Sequence, residues 1–459
     1  MDYELIVLGG GSAGYAAAST ATGRGVKTAL IDNSDRLGGL CILRGCMPSK
    51  TLIETANRLR DIRRCGDYAI ALDGRASVDM AALQERRATL VEEFREDRVD
   101  GLKDGDFDLL RGQACFTDEG RLKFTERDSG SSRVLQFGYA LIATGSHPNV
   151  PDIPGLEGTP YWVSENALEA KQLPEHLIVI GGGAIGCEMA CCFEGLGAKV
   201  TVLNRSRTLL SNLPESASRR FGEEAAKRGI DFRYETESKS VHYRDGQFKV
   251  TVEDAEGHEE QLSASHLLLA TGRNPNTDSL ELDQGNVLTE DGRILADGTG
   301  RTSNDRIYAA GDCVKGPSIV HRAVLAGEQA ARNIHAKLRG HSDSHVEVDL
   351  DPSITAVFSE PELIHIGPSS IDSSWLKKTF DLADSGKAII QGKQNGQLEL
   401  FLEPGSKTIK AATGVGRGVI DYSQAVVLAI RAEMTLEQFL SVPHYHPTMS
   451  EAWTYFESA

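Results

Sequence analysis

The chain has 459 residues, 40% hydrophobic and 25% charged, which excludes disorder and is too long for one hydrophobic core, so about two to four domains are expected. Its 49 basic and 66 acidic residues leave a net charge of −17, which excludes a nucleic-acid scaffold but not phosphorylated cofactors held locally by backbone N–H groups. Eight cysteines are too few for a stapled secreted scaffold, Met1-Asp2-Tyr3-Glu4 lacks a basic leader, and Leu5–Leu8 is too short to span a membrane, so a reducing, cytoplasmic setting without membrane or nucleic-acid partners is expected.

In chain order, the first pattern is an apolar strand at Leu5–Leu8, the turn Gly9-Gly10-Gly11-Ser12-Ala13-Gly14, and a small-residue helix over Tyr15–Ala21. A second strand, Lys27–Ile31, ends at Asp32. In such a unit Gly9 permits the tight turn and Gly11 lets the backbone approach a pyrophosphate. Gly14 allows close packing of helix on strand, and Asp32 can hydrogen-bond a ribose diol.

A helix is expected over Met80–Asp104 and a strand at Tyr139–Ala143. The opening unit then recurs: strand Leu177–Ile180, turn Gly181-Gly182-Gly183-Ala184-Ile185-Gly186, helix Cys187–Leu196 and strand Lys199–Leu203. Here Asn204-Arg205-Ser206-Arg207 stands where an acid would favour free ribose hydroxyls. Asn beside arginines accepts a 2′-phosphate, which leans towards NADP(H) over NAD(H). A strand at His266–Ala270 and a helix at Arg322–Leu338 follow. Arg339–Asp349 reads as a linker, and alternation at Ile354–Phe358 and Gln397–Phe401 predicts an antiparallel sheet. The fold class is therefore α/β, with two Rossmann-like dinucleotide-binding domains and a C-terminal α+β domain.

Cys41 and Cys46 form the candidate redox pair. Four intervening residues allow a disulfide within the first turns of one helix, which Pro48 suits. A helix N-terminus lowers a thiol pKa, so either cysteine can rest as a thiolate, with Arg44 adding to the effect. A metal site would need further ligands that no second Cys/His cluster supplies, so no metal is assigned. Cys187, Cys191 and Cys192 are expected as buried core residues. Cys65, Cys115 and Cys313 have no expected partner.

The run Gly38-Gly39-Leu40-Cys41…Gly45-Cys46-Met47-Pro48-Ser49-Lys50 resembles the active-site signature of the flavoprotein disulfide reductases, which include dihydrolipoamide dehydrogenases, glutathione reductases and mercuric reductases. Ala143-Thr144-Gly145, Ala270-Thr271-Gly272-Arg273, Ala309-Ala310-Gly311-Asp312 and His444-Tyr445-His446-Pro447-Thr448 with Glu451 follow in the family's order, so the resemblance covers the whole chain. It implies FAD in the first glycine-rich turn, with Asp32, Gly39, Ala143–Gly145, Gly311 and Asp312 beside it. It implies NAD(P)(H) in the second turn, with Gly272 and Arg273 among the cofactor-binding residues. Cys46 would be the flavin-side charge-transfer thiol and Cys41 the interchange thiol. Lys50 and Glu188 would pair beside the flavin, and His446, oriented by Glu451, would be the acid–base group, supplied by the partner subunit of a homodimer. The implied domains are 1–147 with 272–345 for FAD, 148–271 for NAD(P), and 346–459 for dimerisation. Hydride would pass to the flavin, then to the Cys41–Cys46 disulfide, then by thiol exchange to substrate.

Leu43-Arg44 departs from the family's usual Asn-Val, placing a cation beside the pair where it marks an anionic substrate or points to solvent. Ser19 and Ala184 stand where glutathione reductases carry an arginine and a tyrosine. No vicinal cysteines occur in Thr454–Ala459, which argues against a mercuric reductase. Ile319–Gly327 is closest in pattern to lipoamide dehydrogenases, with His321 as a flavin-site or helix-start residue. The expected function is dihydrolipoamide dehydrogenase-like, on lipoamide or another small or carrier-borne disulfide. The rival is an NADPH-driven reductase of a different disulfide, mercuric reductase-like enzymes included. A non-catalytic flavoprotein subunit has no need of Cys41, Cys46, His446 and Glu451 together.

Overall fold

The computed structural model describes residues 1–341, 346–349 and 351–456. It divides into two compact units, one of Met1–Ser49, Arg86–Asn149 and Arg273–Leu350, the other of Lys50–Glu85, Val150–Gly272 and Asp351–Ala459.

In the first unit the strands Ile307–Ala309, Ser132–Ile142, Tyr3–Leu8, Thr28–Asp32 and Asp108–Asp118 lie parallel, side by side in that order. Leu5–Leu8 is an unbroken apolar run because both sheet faces are covered. Leu5, Val7, Leu30 and Leu141 point to a core with the helices Ser12–Thr22 and Val320–Leu338. Ile6, Leu8, Ile31 and Ile142 point the other way, against Phe116, Leu122, Phe124 and Phe137 of an antiparallel layer. The small side chains of the first helix follow from close packing. A Cβ on Gly327 of the facing helix would stand 2.2 Å from the Ala13 carbonyl oxygen.

The second unit repeats the plan. His266–Leu269, His176–Ile180, Lys199–Leu203 and Asp231–Arg233 are parallel in that order. Leu177, Val179, Val200 and Val202 meet the helix Ala184–Leu196, and Ile178, Ile180, Leu267 and Leu269 meet an antiparallel layer through Val241, Phe248 and Val250. Cys187, Cys191 and Cys192 are at most 1% exposed in this core, as expected, and burial raises all three thiols, Cys191 to about 11 and Cys192 to about 12.

The same unit holds an antiparallel sheet in the order Ile354–Val357, Glu362–Ile366, Ile409–Gly416, Gln397–Leu402, Leu376–Asp381. One face packs on Val426, Phe439 and fully buried Trp453. The helix Leu436–Ser441 begins with a capping box, Thr435 accepting from the Gln438 amide while the Gln438 side chain accepts from Thr435 N–H. Of the expected linker Arg339–Asp349, residues 342–345 lie outside the described residues, as do 457–459 of the C-terminal segment.

Candidate active site

Both glycine-rich turns have the geometry of a phosphate cradle. Gly9 and Gly181 adopt φ of +106° and +114°, and added Cβ atoms would meet the Ala143 and Ala270 carbonyl oxygens at 2.3 and 2.4 Å. Gly14 and Gly186 lie still closer to their own turns, where a Cβ would stand 1.8 and 1.9 Å from the Gly9 and Gly181 carbonyl oxygens. Gly11 and Gly183, which cap the two helices, face open space. An open backbone surface at a helix N-terminus beginning with Ser12 or Ala184 suits a pyrophosphate, so these residues fit dinucleotide cofactors.

Asp32 is buried at the end of its strand, accepting from Gly10 N–H at 2.8 Å and from Ser34 N–H at 2.9 Å. Asn204 holds the matching place in the second unit. Its Nδ2 donates to the Ser206 and Thr208 carbonyls at 2.7 and 3.0 Å, which closes the loop carrying Arg205. Arg205 and Arg207 are exposed, and Arg207 pairs with Glu235 at 3.1 Å. Asp312 accepts from Ser146 Oγ at 2.9 Å, and Arg273 donates to the same hydroxyl at 2.8 Å. Gly39, at φ +77°, fits directly on Gly11, its Cβ position 2.8 Å from the Gly11 Cα, so the cysteine segment begins against the first turn. Thr144 and Gly145 follow Ala143 behind Gly9, a Cβ added to Gly311 would stand 3.3 Å from that of Ala13, and Ile185 is half-buried in the helix Ala184–Leu196. His321 is the second residue of its helix, a helix-start position.

The cysteines do not share one helix. Cys41 lies on the short helix Gly39–Arg44 and Cys46 opens the next, Cys46–Arg63, because Gly45 leaves helical geometry at φ −132°, ψ −112°. Both are thiols in the structure. Cys41 hydrogen-bonds to Cys46, and that bond, with burial next, pushes its thiol well above the usual range. Arg44 is exposed and acts on Asp35, whereas the cation acting on Cys41 is Arg98. Sequence reasoning had no signal for Arg98, which sits far along the chain on the helix Met80–Lys103.

In the second unit, Lys50 Nζ reaches both Glu188 oxygens at 2.9 and 3.1 Å and sits 4.5 Å over the Phe358 ring. Glu188 also accepts from Phe358 N–H at 2.9 Å. Burial raises its carboxyl in spite of Lys50, so this is a tightly held, partly desolvated pair.

His446 Nδ1 lies 2.9 Å from Glu451 Oε2, and the His446 side chain is 79% exposed while that of Glu451 is 7% exposed. Burial alone would raise Glu451, but hydrogen bonds from Tyr455 and His446 outweigh it and hold the carboxyl below its ordinary value. An ionised carboxylate only accepts, so Nδ1 is the donor to Glu451, and Nε2 is the ring nitrogen that Glu451 leaves unengaged. The pair thus joins an exposed imidazole to a buried carboxylate.

The family model described as pyridine nucleotide-disulphide oxidoreductase matches residues 3–327, and that of the family's dimerisation domain matches 355–456. Mercuric reductase of Shigella flexneri is 34% identical over 98% of this chain and 79% of its own length. Dihydrolipoyl dehydrogenase of Geobacillus stearothermophilus is 31% identical over 98% of this chain and 94% of its own. Among solved structures, the HOCl-induced flavoprotein disulfide reductase RclA of Escherichia coli superposes with a TM-score of 0.85 at 25% identity, covering 99% of each chain.

Proposed function

This chain belongs to the pyridine nucleotide-disulphide oxidoreductase family, and on that premise we propose that it exchanges electrons between NAD(P)(H) and a dithiol/disulfide substrate in the manner of a dihydrolipoamide dehydrogenase. The observation that carries the reading is the pair Cys41 and Cys46, set on either side of the helix break at Gly45 and acting on one another, on a segment that begins against the first glycine turn at Gly39. FAD, when bound, supplies the two-electron link between nicotinamide and the cysteine pair. Gly9, Gly11, Ser12, Ala13, Gly14, Asp32, Gly39, Ala143, Thr144, Gly145, Gly311 and Asp312 would hold it. Gly181, Gly183, Ile185, Gly186, Asn204, Arg205, Gly272 and Arg273 would hold the pyridine nucleotide, the exposed Arg205 leaning towards NADP(H). The corresponding domains are 1–147 with 272–345, 148–271, and 346–459.

The chemistry of the residues then follows. With the pair reduced, Cys41 loses its proton to His446 and attacks one sulfur of the substrate disulfide. A mixed disulfide forms, and the leaving sulfur takes the proton back from His446. Cys46 next gives its proton to His446 and attacks the Cys41 sulfur, closing the Cys41–Cys46 disulfide and releasing the second substrate sulfur, which takes that proton back from His446. One disulfide is reduced for each one formed. Glu451 fixes the ring so that Nε2 is the working atom, and Lys50–Glu188 supplies a fixed charge pair. Because His446 is turned outward on its own protomer, it would serve the cysteine pair of the partner in a homodimer.

Replacing His446 by Gln is expected to slow dithiol exchange with lipoamide by about 10²–10⁴-fold while flavin reduction by NAD(P)H stays near wild type. Equal slowing of both steps would contradict the assignment. A second reading is favoured by the mercuric reductase relatives and by a Cu(II) complex recorded for RclA: the reduced cysteines would transfer electrons to a soft metal ion. Consumption of NADPH driven by Hg(II) or Cu(II), and not by lipoamide, would select it.

A further inference from the structure

Arg98 is a half-buried cation whose charge reaches the Cys41 thiol. Its guanidinium carbon stands 4.2 Å over the ring of Tyr15, on the helix that starts at the first glycine turn. Gly101, one turn beyond Arg98, makes room for that ring, since a Cβ there would come within 2.4 Å of the Tyr15 hydroxyl oxygen. The charges felt by Arg98 come from Tyr15, Cys41 and Asp97, and Cys41 feels Arg98 in turn. None of these three forms an ion pair with it among the described residues. Arg95, one turn back, is paired with Glu92, and Arg36 shares the same carboxylate. Burial, the largest influence on Arg98, weakens its hold on its proton, as expected for a desolvated guanidinium lacking a carboxylate.

A chain of net charge −17 repels anions over most of its surface. A planar donor fork held by ring stacking, without a counter-ion and beside the nucleophile, is suited to an arriving carboxylate. We propose that Arg98 is a specificity-determining residue that receives an anionic group of the substrate, a carboxylate above all, close to the disulfide attacked by Cys41. This rests on the proposed function and narrows its substrate class to anionic disulfides.

The test uses two alkylating probes of nearly equal size, anionic iodoacetate and neutral iodoacetamide, on the reduced holoenzyme, with the labelled Cys41 peptide quantified by mass spectrometry. Arg98→Met is expected to lower the ratio of iodoacetate to iodoacetamide rates by about tenfold, whereas Arg98→Lys should keep most of it. An unchanged ratio in Arg98→Met overturns the proposal. So does an equal change in both rates, which would reduce Arg98 to a stabiliser of the thiolate or of the fold. Retained flavin absorbance identifies folded variants. Should Arg98→Met lose flavin, the wild-type ratio should fall towards that of a free thiol as salt is raised, and a salt-independent ratio overturns the proposal. The ratio is read after reduction by dithiothreitol as well as by NADPH. Failure of NADPH alone to unmask Cys41 would count against the proposed function and not against Arg98.

Discussion

At Cys41 and His446 the roles depend on which atom holds a proton. Glu451 is held below its ordinary value, so its support of His446 is fully present above the unfolded carboxylate pKa and is lost only as pH falls through the lowered folded value. Glu451→Gln removes the carboxylate that fixes the tautomer, and thiol exchange is expected to drop on the order of 10²-fold. Stopped-flow separation of flavin reduction from dithiol exchange checks this, and a variant exchanging at the wild-type rate would remove Glu451 from the mechanism. Cys41, Cys46, His446 and Glu451 were readable as residue types at fixed spacing. The structure adds their hydrogen bonds. The cation beside Cys41 was not readable, because Arg44 is the neighbour in sequence while Arg98 is the neighbour in space.

The two glycine-rich elements are geometrically alike and are expected to differ in what their loss does. In Gly14→Ala the new methyl would meet the Gly9 carbonyl oxygen at 1.8 Å, and in Gly186→Ala the Gly181 carbonyl oxygen at 1.9 Å. Gly14→Ala should yield colourless protein. Gly186→Ala should stay yellow yet resist reduction by NAD(P)H, and the reverse pattern in absorbance spectra would exchange the two assignments. At the first turn of the antiparallel sheet, Glu360 in the connection and Glu362 at the start of the second strand are shifted in opposite senses. Burial would raise Glu360, but Arg228 at 2.6 Å, with Arg417 and Arg60 beyond, holds it low. Burial raises Glu362 to about 7. A carboxyl raised above its unfolded value binds more protons when folded, so it lowers stability as pH rises from the unfolded pKa to the folded one. Glu362→Gln is expected to flatten that loss between about pH 4.5 and 7 and to stabilise the protein by up to about 3 kcal/mol at pH 8. Denaturant titrations at both pH values measure it, and parallel pH profiles would exclude Glu362 as the source. Strand and helix positions were legible because both faces of each parallel sheet are covered, which leaves apolar runs such as Leu5–Leu8 and Leu177–Ile180. The break at Gly45 was not, since Ile42, Leu43 and Arg44 all favour continuing a helix.

For the molecule as a whole, the ordered motifs made the family legible, while Tyr15 and Arg98, which no motif marks, are brought together only by the fold. The dimerisation-domain match and the exposed His446 support the proposal that the sites are shared between protomers. Mixing Cys46→Ser with His446→Gln protomers should then restore about a quarter of wild-type activity, because half the dimers become hybrids with one intact site. An inactive mixture in which hybrids have formed would show that each protomer works alone. Cys41 and Cys46 are proposed as the electron carriers between nucleotide and substrate. Anaerobic titration of the yellow protein with NADPH and, separately, NADH, followed at long wavelength, tests this proposal most directly. A charge-transfer band is expected with at least one nucleotide, preferentially NADPH if Arg205 receives a 2′-phosphate, and none in Cys46→Ser. No band with either nucleotide, or an undiminished band in Cys46→Ser, would contradict it.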